Sequence, residues 1–437
     1  MSSGSIRQIS GTGNGRQNFK LFPSNASARN EFRHAGSPVL QFQIPNADVM
    51  LDLSTIRICG RVKYENISND GVNVRCDQYA GVSSLFQDVT WSSLLSRSVI
   101  EQVQHYPQML NTVVPALNNT QDFMMKLQSQ NLSTQELEFQ KNEFNATACT
   151  ADGVAFSTPI WTGLTMGNNT RVPLNKIGGL VLSIVLSPDE AYFINSDATE
   201  NPNWCLFDMS LEGDFYVPTP DERELLFGMK EGEIEVNTMT TLFNVLQASD
   251  HVSNFQLGMR EVVSAFYVSK PANWVNNYTQ NEYQHTRILD SSLSTEQQVK
   301  VNYLKNGSLN PANFDILINE NSNEGQAQQF YLGSLRRLSE MNSISFSNET
   351  NDPRVAIGGT SFPANTANQM LSLNKENYVN GIYYDPLGDH VGSNFVQAPL
   401  TITIKSGLTD GEVNALYIFI LAKTTIIYDE MGIRVMT

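Results

Sequence analysis

Hydrophobic and polar residues alternate along most of this chain, and helical spacing is confined to a few short stretches. Ile56-Arg57-Ile58-Cys59-Gly60-Arg61-Val62-Lys63-Tyr64 puts apolar groups on one side of an extended backbone, which predicts a strand with one face in a core. Val39, Phe42 and Ile44 belong to a similar short run, and Gly81–Trp91, Arg171–Ile177, Gly179–Ser187 and Trp204–Val217 supply further strand candidates. Between them, Val99-Ile100-x-x-Val103 followed by Met109-Leu110 has helical spacing interrupted by Pro107, and Gln121–Gln130, with Phe123, Met124, Met125 and Leu127, reads as a second short helix.

The later part of the chain repeats the plan. Strands are predicted at Glu233–Phe243, Asn254–Val268, Gln297–Leu304 and Asn306–Ile316, the last two joined by a turn at Asn306-Gly307. A helical stretch with Phe330, Leu332, Leu335, Leu338 and Met341 follows, then strands at Leu371–Tyr384, Pro399–Ser406, Glu412–Ala422 and Thr424–Val435. Near the midpoint lies the charged, proline-bracketed stretch Pro218-Thr219-Pro220-Asp221-Glu222-Arg223-Glu224, the natural boundary. The reading is therefore all-β: a flexible basic arm at 1–19, one β-sandwich at 20–219 and a second at 220–437, each with a short helical insert. A single irregular domain of 437 residues would exceed the usual limit of one core, about 250–300 residues.

Composition refines this picture. Charged residues are only 16%, below the roughly 25% usual for soluble domains, and Asn, Gln, Ser and Thr take their place. Such a balance suits either a polar all-β protein or one whose surface is covered by copies of itself, because an unpaired charge costs more to desolvate than an amide or hydroxyl. The net charge of −16 makes the body repel nucleic acid, whereas between Met1 and Asn30 the only ionisable side chains are Arg7, Arg16, Lys20 and Arg29. Met1–Lys20 is polar and Gly-rich, unlike a signal peptide, and the most apolar stretches, Gly179–Leu186 and Ala415–Ala422, are too short to span a bilayer. The expectation is a soluble protein made in a reducing place, with Cys59, Cys76, Cys149 and Cys205 as thiols. The N-x-S/T sequons at Asn25, Asn66, Asn131, Asn145, Asn168, Asn277, Asn306 and Asn348 are then expected to be bare.

Candidate chemistry is sparse. No G-x-S-x-G, H-E-x-x-H or Walker loop occurs, and Gly11-x-Gly13-x-Gly15 precedes any strand, so it is not a dinucleotide fingerprint. His34, His105, His251, His285 and His390 are scattered. Asp385, Asp389 and His390 form a possible cation cluster but read more readily as a turn, and Asp221/Glu222 or Glu231/Glu233 are carboxylate pairs of the kind any acidic protein offers. Arg336-Arg337 fits a solvated helix face. The arm has two readings: contact with phosphate of a genome or lipid headgroups, or a structural segment that orders beneath a neighbouring subunit.

Three groups of residues carry a family likeness. Phe42-Gln43-Ile44-Pro45 with Leu51-Asp52-Leu53 is one. Asp77-Gln78-Tyr79-Ala80-Gly81-Val82-Ser83-Ser84-Leu85-Phe86-Gln87-Asp88-Val89, followed by Ile100-Glu101 and His105-Tyr106, is the second. The third is Leu400–Val435, with Asn414-Ala415-Leu416-Tyr417-Ile418-Phe419, Thr425-Ile426-Ile427-Tyr428-Asp429 and Gly432-Ile433-Arg434-Val435. In this order and spacing the chain resembles the double jelly-roll major capsid proteins of polinton-like viruses and virophages. The resemblance implies two tandem eight-stranded antiparallel jelly rolls. It implies a homotrimer forming a pseudo-hexagonal capsomer that tiles an icosahedral shell of a DNA virus, made and assembled inside the host cell and resident in the virion. Neighbouring capsomers, penton and minor capsid proteins would be its partners. No catalytic residue, metal or cofactor is implied, and Arg7, Arg16 and Lys20 are the candidate inner-surface contacts of the arm with genome or an internal membrane. The chain is short for this family, which implies short surface loops. The alternatives are a secreted or surface β-sandwich carbohydrate-binding protein, with Trp91, Trp161, Trp204 and Trp274 as sugar platforms, and a β-rich hydrolase.

Overall fold

A computed structural model of the chain describes residues 15–25, 31–65, 74–75, 80–110, 143–144, 153–166, 171–192, 194–195, 203–247, 250–272, 275, 299–309, 316–318, 379–384, 392–405, 413–429 and 432–437. Strands β1 (Gly15–Leu21), β2 (Val39–Ile44), β3 (Met50–Glu65), β4 (Phe86–Ser93), β5 (Val99–Val103), β6 (Val154–Pro159), β7 (Leu180–Leu186) and β8 (Asn203–Val217) build the first half. The second half has β9 (Gly232–Gln247), β10 (Asp250–Phe255), β11 (Glu261–Pro271), β12 (Val299–Lys305), β13 (Ile316–Ile318), β14 (Val379–Tyr383), β15 (Leu400–Lys405) and β16 (Val413–Asp429), closed by β17 (Gly432–Met436).

Pairing follows one rule in both halves. The first half forms β1-β8-β3-β6 facing β2-β7-β4-β5, and the second forms β9-β16-β11-β14 facing β10-β15-β12-β13. Counting strands within each half, the order is 1-8-3-6 against 2-7-4-5 both times, which is the jelly-roll arrangement. The two halves share one nine-stranded sheet, because β5 pairs in parallel with β9 at Gln102↔Thr240.

The parallel join makes the two rolls point the same way. In an antiparallel roll successive connections leave from opposite ends. The turns at residues 45–49, 94–98 and 256–260, the linker after Val217 and the start of β1 therefore all lie at one end. The connections spanning 104–153, 272–298 and 319–378 leave from the other.

Two apolar clusters fill the molecule. One runs from Leu21 through Phe42, Trp91 and Trp204 and continues onto Val263, Phe266, Tyr417, Phe419 and Leu421 of the second half. The other, with Ile382, Phe395, Ile402, Leu416, Ile418 and Ile420, lies inside the second roll alone. Strand β16 is thus covered on both sides, by alternate residues of its run Ala415–Ala422. A continuous apolar strand buried on two faces is the expected consequence.

Several local expectations change. Gly15–Phe19, read as arm, are the first residues of β1, held across from Val217 to Gly213 of β8. Val99–Val103 is the strand β5 rather than a helix; only residues 106–110 are helical, with Pro107 in the first turn where its missing N–H is tolerated. Glu412–Ala422 and Thr424–Val435 are not separated at Lys423, which stays within β16; that strand ends at Asp429 and β17 begins at Gly432. The stretch at 218–224 holds a helix, α1 (Pro220–Phe227), whose Thr219 and Glu222 form a capping box with proline at its start. The helical stretches at 121–130 and 330–341 lie outside the described residues.

Candidate functional site

The arm residues are the site residues that the capsid resemblance implies, and the structure treats them unequally. Asn18 and Lys20 stand on the outer face of β1 at spacing two, with Arg16 beside them. Directly across, β8 presents Asp214 and Glu212. Asp214 accepts from the side chains of both Arg16 and Asn18, and Lys20 lies 2.8 Å from Glu212. The Lys20 partnership raises that ammonium's pKa and lowers that of Glu212. Arg16 and Lys20 are thus each paired with a carboxylate of their own roll while their side chains stay 67% and 55% exposed. Arg7 lies outside the described residues.

The same face continues as a polar surface. Arg57 donates to Ser157, Lys63 lies 3.5 Å from Glu31, and Arg171 lies 3.8 Å from Asp52. These are partly exposed pairs, each worth about 1 kcal/mol or less, and together they make a wettable wall.

The seam between the rolls is of another kind. Glu101 of β5 is fully buried, and its carboxylate accepts from Met239 N–H of β9 at 2.6 Å and from Leu164 N–H at 3.2 Å, with Gly163 N–H also turned toward it. Burial pushes its pKa up to about 7, against the pull of these donors. Gly163 begins a short helix, Gly163–Met166, and a Cβ there would come within 2.6 Å of the Thr238 backbone. Only glycine allows the two backbones to approach this closely.

Further along, Thr241 donates to the Gln104 carbonyl at 2.6 Å, and the His105 ring meets Tyr417 edge-on at 4.8 Å between centroids and Phe243 at 5.4 Å. At the short-turn end, Lys176 donates to the carbonyls of Phe227 and Met229 and lies over the Tyr428 ring. Each of these contacts joins the first roll to the second or to the linker.

An exposed strand edge invites pairing with another chain. On β2 this edge is closed by Ser24 and Asn25. Ser24 N–H donates to Gln41 O at 2.8 Å, Gln41 N–H donates to the Asn25 side-chain oxygen at 3.0 Å, and the Asn25 amide donates to Val39 O at 2.7 Å. Asn25 heads one of the sequons, and its amide nitrogen is occupied in this way. The outer faces beside it carry single exposed apolar groups, Phe22, Val39 and Val185 among them, the latter two cross-strand partners.

Other candidates do not converge on a centre. Trp91 and Trp204 are buried in the core and Trp161 packs against it, so these three form no sugar platform; Trp274 lies outside the described residues. Cys205 is buried and Cys59 half-buried, both as free thiols. Asp385, Asp389, His390, Arg336 and Arg337 lie outside the described residues. Among the described residues no group of three or more His, Cys, Asp or Glu is placed to hold a metal ion, and no helix is long and apolar enough to cross a membrane. Sequence reasoning missed Glu101, although a lone acid in Val99-Ile100-Glu101-Gln102-Val103 was the available signal. It also missed the capping box, whose Thr219-x-x-Glu222 spacing was legible.

No protein-family model matches the chain, and no curated protein matches it. Solved structures do. The chain is similar to the Faustovirus major capsid protein, with a TM-score of 0.58 and 8% identity over 95% of this chain and 91% of that one. It is similar to a chain of the Sputnik virophage solved by cryo-EM, with a TM-score of 0.55 and 11% identity over 100% of this chain and 91% of that one. It is also similar to VP54 of PBCV-1 fitted into a Sputnik reconstruction, with a TM-score of 0.55 and 12% identity over 98% of each chain. Structural neighbours of this kind are double jelly-roll major capsid proteins rather than enzymes. At such identities the likeness is one of fold, and the fold of this chain is a double jelly roll.

Proposed function

We propose that this protein is a major capsid protein that assembles as a homotrimer, a pseudo-hexagonal capsomer tiling the icosahedral shell of a DNA virus. The observation that carries the reading is the pairing of two rolls of identical strand order, set side by side in the same direction and fused through a fully buried sheet. A body with two similar upright walls, repeated three times about an axis, offers six similar sides, and closed rings of this sort use a different patch on each flank. The fold likeness to the Faustovirus protein supports the same reading. In this proposal the rolls are two units divided near residues 219 and 220, the protein resides in the virion, and its partners are neighbouring capsomers with penton and minor capsid proteins.

The arm enters the proposal in reduced form. Since Arg16 and Lys20 are engaged with Asp214 and Glu212, a contact with genome or an internal membrane falls to residues before Gly15, with Arg7 as their cation. Purified protein is expected to run as a trimer by light scattering and to show hexagonal tiles in negative stain. A stable monomer that binds glycans overturns the proposal in favour of the carbohydrate-binding class. Removal of residues 1–14 is expected to leave trimers intact and impair shell closure, whereas unimpaired closure removes the arm from the proposal.

A further inference from the structure

Two Asn–Gly pairs lie wholly within the described residues, and the fold holds them differently. Asn306-Gly307 is the apex of the hairpin between β12 and Ser308–Leu309, where Lys305 pairs with Ser308 and Leu304 with Leu309. Both apex residues have positive φ, 52° and 77°, as a two-residue type I′ loop requires. Both are exposed, and a Cβ added at Gly307 would meet nothing within 4 Å. Asn306 N–H donates to Pro399 O at 3.3 Å, and Gly307 N–H makes no backbone bond among the described residues.

Asn380-Gly381 is inside strand β14. Asn380 stands across from Tyr267 and Gly381 across from Phe266 of β11, which is paired on its other side with β16. Gly381 is buried. The first pair is at a free tip and the second is within a sheet.

An asparagine followed by glycine carries its own nucleophile. The Gly307 nitrogen attacks Asn306 Cγ, and no Cβ on residue 307 obstructs the approach. The N–Cγ bond forms, the Cγ–Nδ2 bond breaks, and Nδ2 leaves as ammonia with the proton of the Gly307 amide. Water then opens the five-membered imide. Cleavage of N–Cγ leaves aspartate, and cleavage of the original peptide bond leaves isoaspartate, with the main chain routed through Cγ. Water is the only co-reactant. The reaction requires the Asn306–Gly307 peptide to rotate out of its left-handed turn, so its rate follows local opening. At the hairpin tip, opening disturbs the bond to Pro399 and two residues of pairing. At Asn380-Gly381 it must pull β14 from β11.

We propose that Asn306 is a site of spontaneous covalent modification, passing through a succinimide to aspartate and isoaspartate, while the sheet protects Asn380. The inference is independent of the capsid reading. Its product places a carboxylate beside Lys305, in the lining of the cleft that Asn306 shares with Arg260 and Asn394. Isoaspartate also adds a methylene to the backbone between Lys305 and Ser308, which spoils their register.

Peptide mapping tests it on the full chain. Folded protein is held in warm, mildly alkaline buffer, sampled over time, digested and read by mass spectrometry, with isoaspartyl methyltransferase as the probe for isoaspartate. The peptide containing Asn306 is expected to show the amide-to-acid mass change at least about tenfold faster than the peptide containing Asn380. In denaturant the two rates are expected to converge, which assigns the difference to the fold. Asn306→Gln, whose longer side chain closes a ring far less readily, is expected to abolish the methyltransferase signal from this peptide. Equal rates in the folded chain overturn the inference, as does an Asn306 that stays intact while the denatured chain reacts. Carbohydrate on Asn306, which heads the sequon Asn306-Gly307-Ser308, also overturns it.

Discussion

The sheet β1-β8-β3-β6 and its counterpart β9-β16-β11-β14 occupy equivalent places in the two rolls, yet their outer faces have opposite fates. The first presents Arg16, Asn18, Lys20, Arg57 and Lys63 to water, paired with Asp214, Glu212, Ser157 and Glu31. The second presents Tyr417, Phe419 and Leu421 to the apolar cluster of the first roll. One fold position thus serves as a wall in one roll and as a partition in the other. The difference is written in the strands: Ile56–Tyr64 alternates, whereas Ala415–Ala422 is apolar throughout. A duplicated architecture becomes a single body when one copy's outer face becomes apolar and the other's does not.

The largest test of this comparison is truncation at the partition. Phe419→Ala is expected to cost about 3–5 kcal/mol, because both neighbouring layers lose contact and the cavity cannot collapse. Denaturant titration would show it as a lower midpoint. A loss below about 1 kcal/mol would mean that the rolls do not depend on one another through this face.

Glu101 sharpens the comparison through pH. Its carboxyl is raised from 4.5 to about 7, so the folded protein holds a proton more tightly than the unfolded chain. Stability from this group is complete below about pH 4.5 and is lost as pH rises through about 7, by roughly 3 kcal/mol at 1.4 kcal/mol per unit. Glu101→Gln is expected to flatten that part of the melting-temperature profile. A profile that rises from pH 5 to 7 in the wild type and is unchanged in the variant would remove Glu101 from the account.

The smallest effect belongs to the wettable wall. Lys20→Gln is expected to cost less than about 1 kcal/mol, and most of that is expected to vanish in high salt, since Lys20 is more than half exposed. A cost as large as that of Phe419→Ala would erase the contrast between the two faces.

Much of this was legible along the chain. Alternation over Ile56–Tyr64 marked the later part of the longer strand Met50–Glu65, Trp204–Val217 lies within Asn203–Val217, and the turn at Asn306-Gly307 joins β12 to the short strand Ser308–Leu309. What misled was periodicity where two environments meet. Val99, Ile100 and Val103 look helical because Glu101 and Gln102 interrupt the alternation, and Glu101 faces inward only because the second roll brings Met239 N–H to it. Arg16 and Lys20 look like a free basic arm because their acids lie almost two hundred residues away, on β8.

By itself the sequence determined the class of structure: strand after strand, a midpoint break, and too few charges or reactive clusters to suggest chemistry. Side-chain period and turn residues are local properties, so they survive being read in one dimension. The tertiary structure alone decided which apolar faces became core and which became seam, which cations were already matched, and why Gly163 is a glycine. Those outcomes depend on contacts between residues far apart in the chain, where burial and charge pairing are set by what the fold brings alongside.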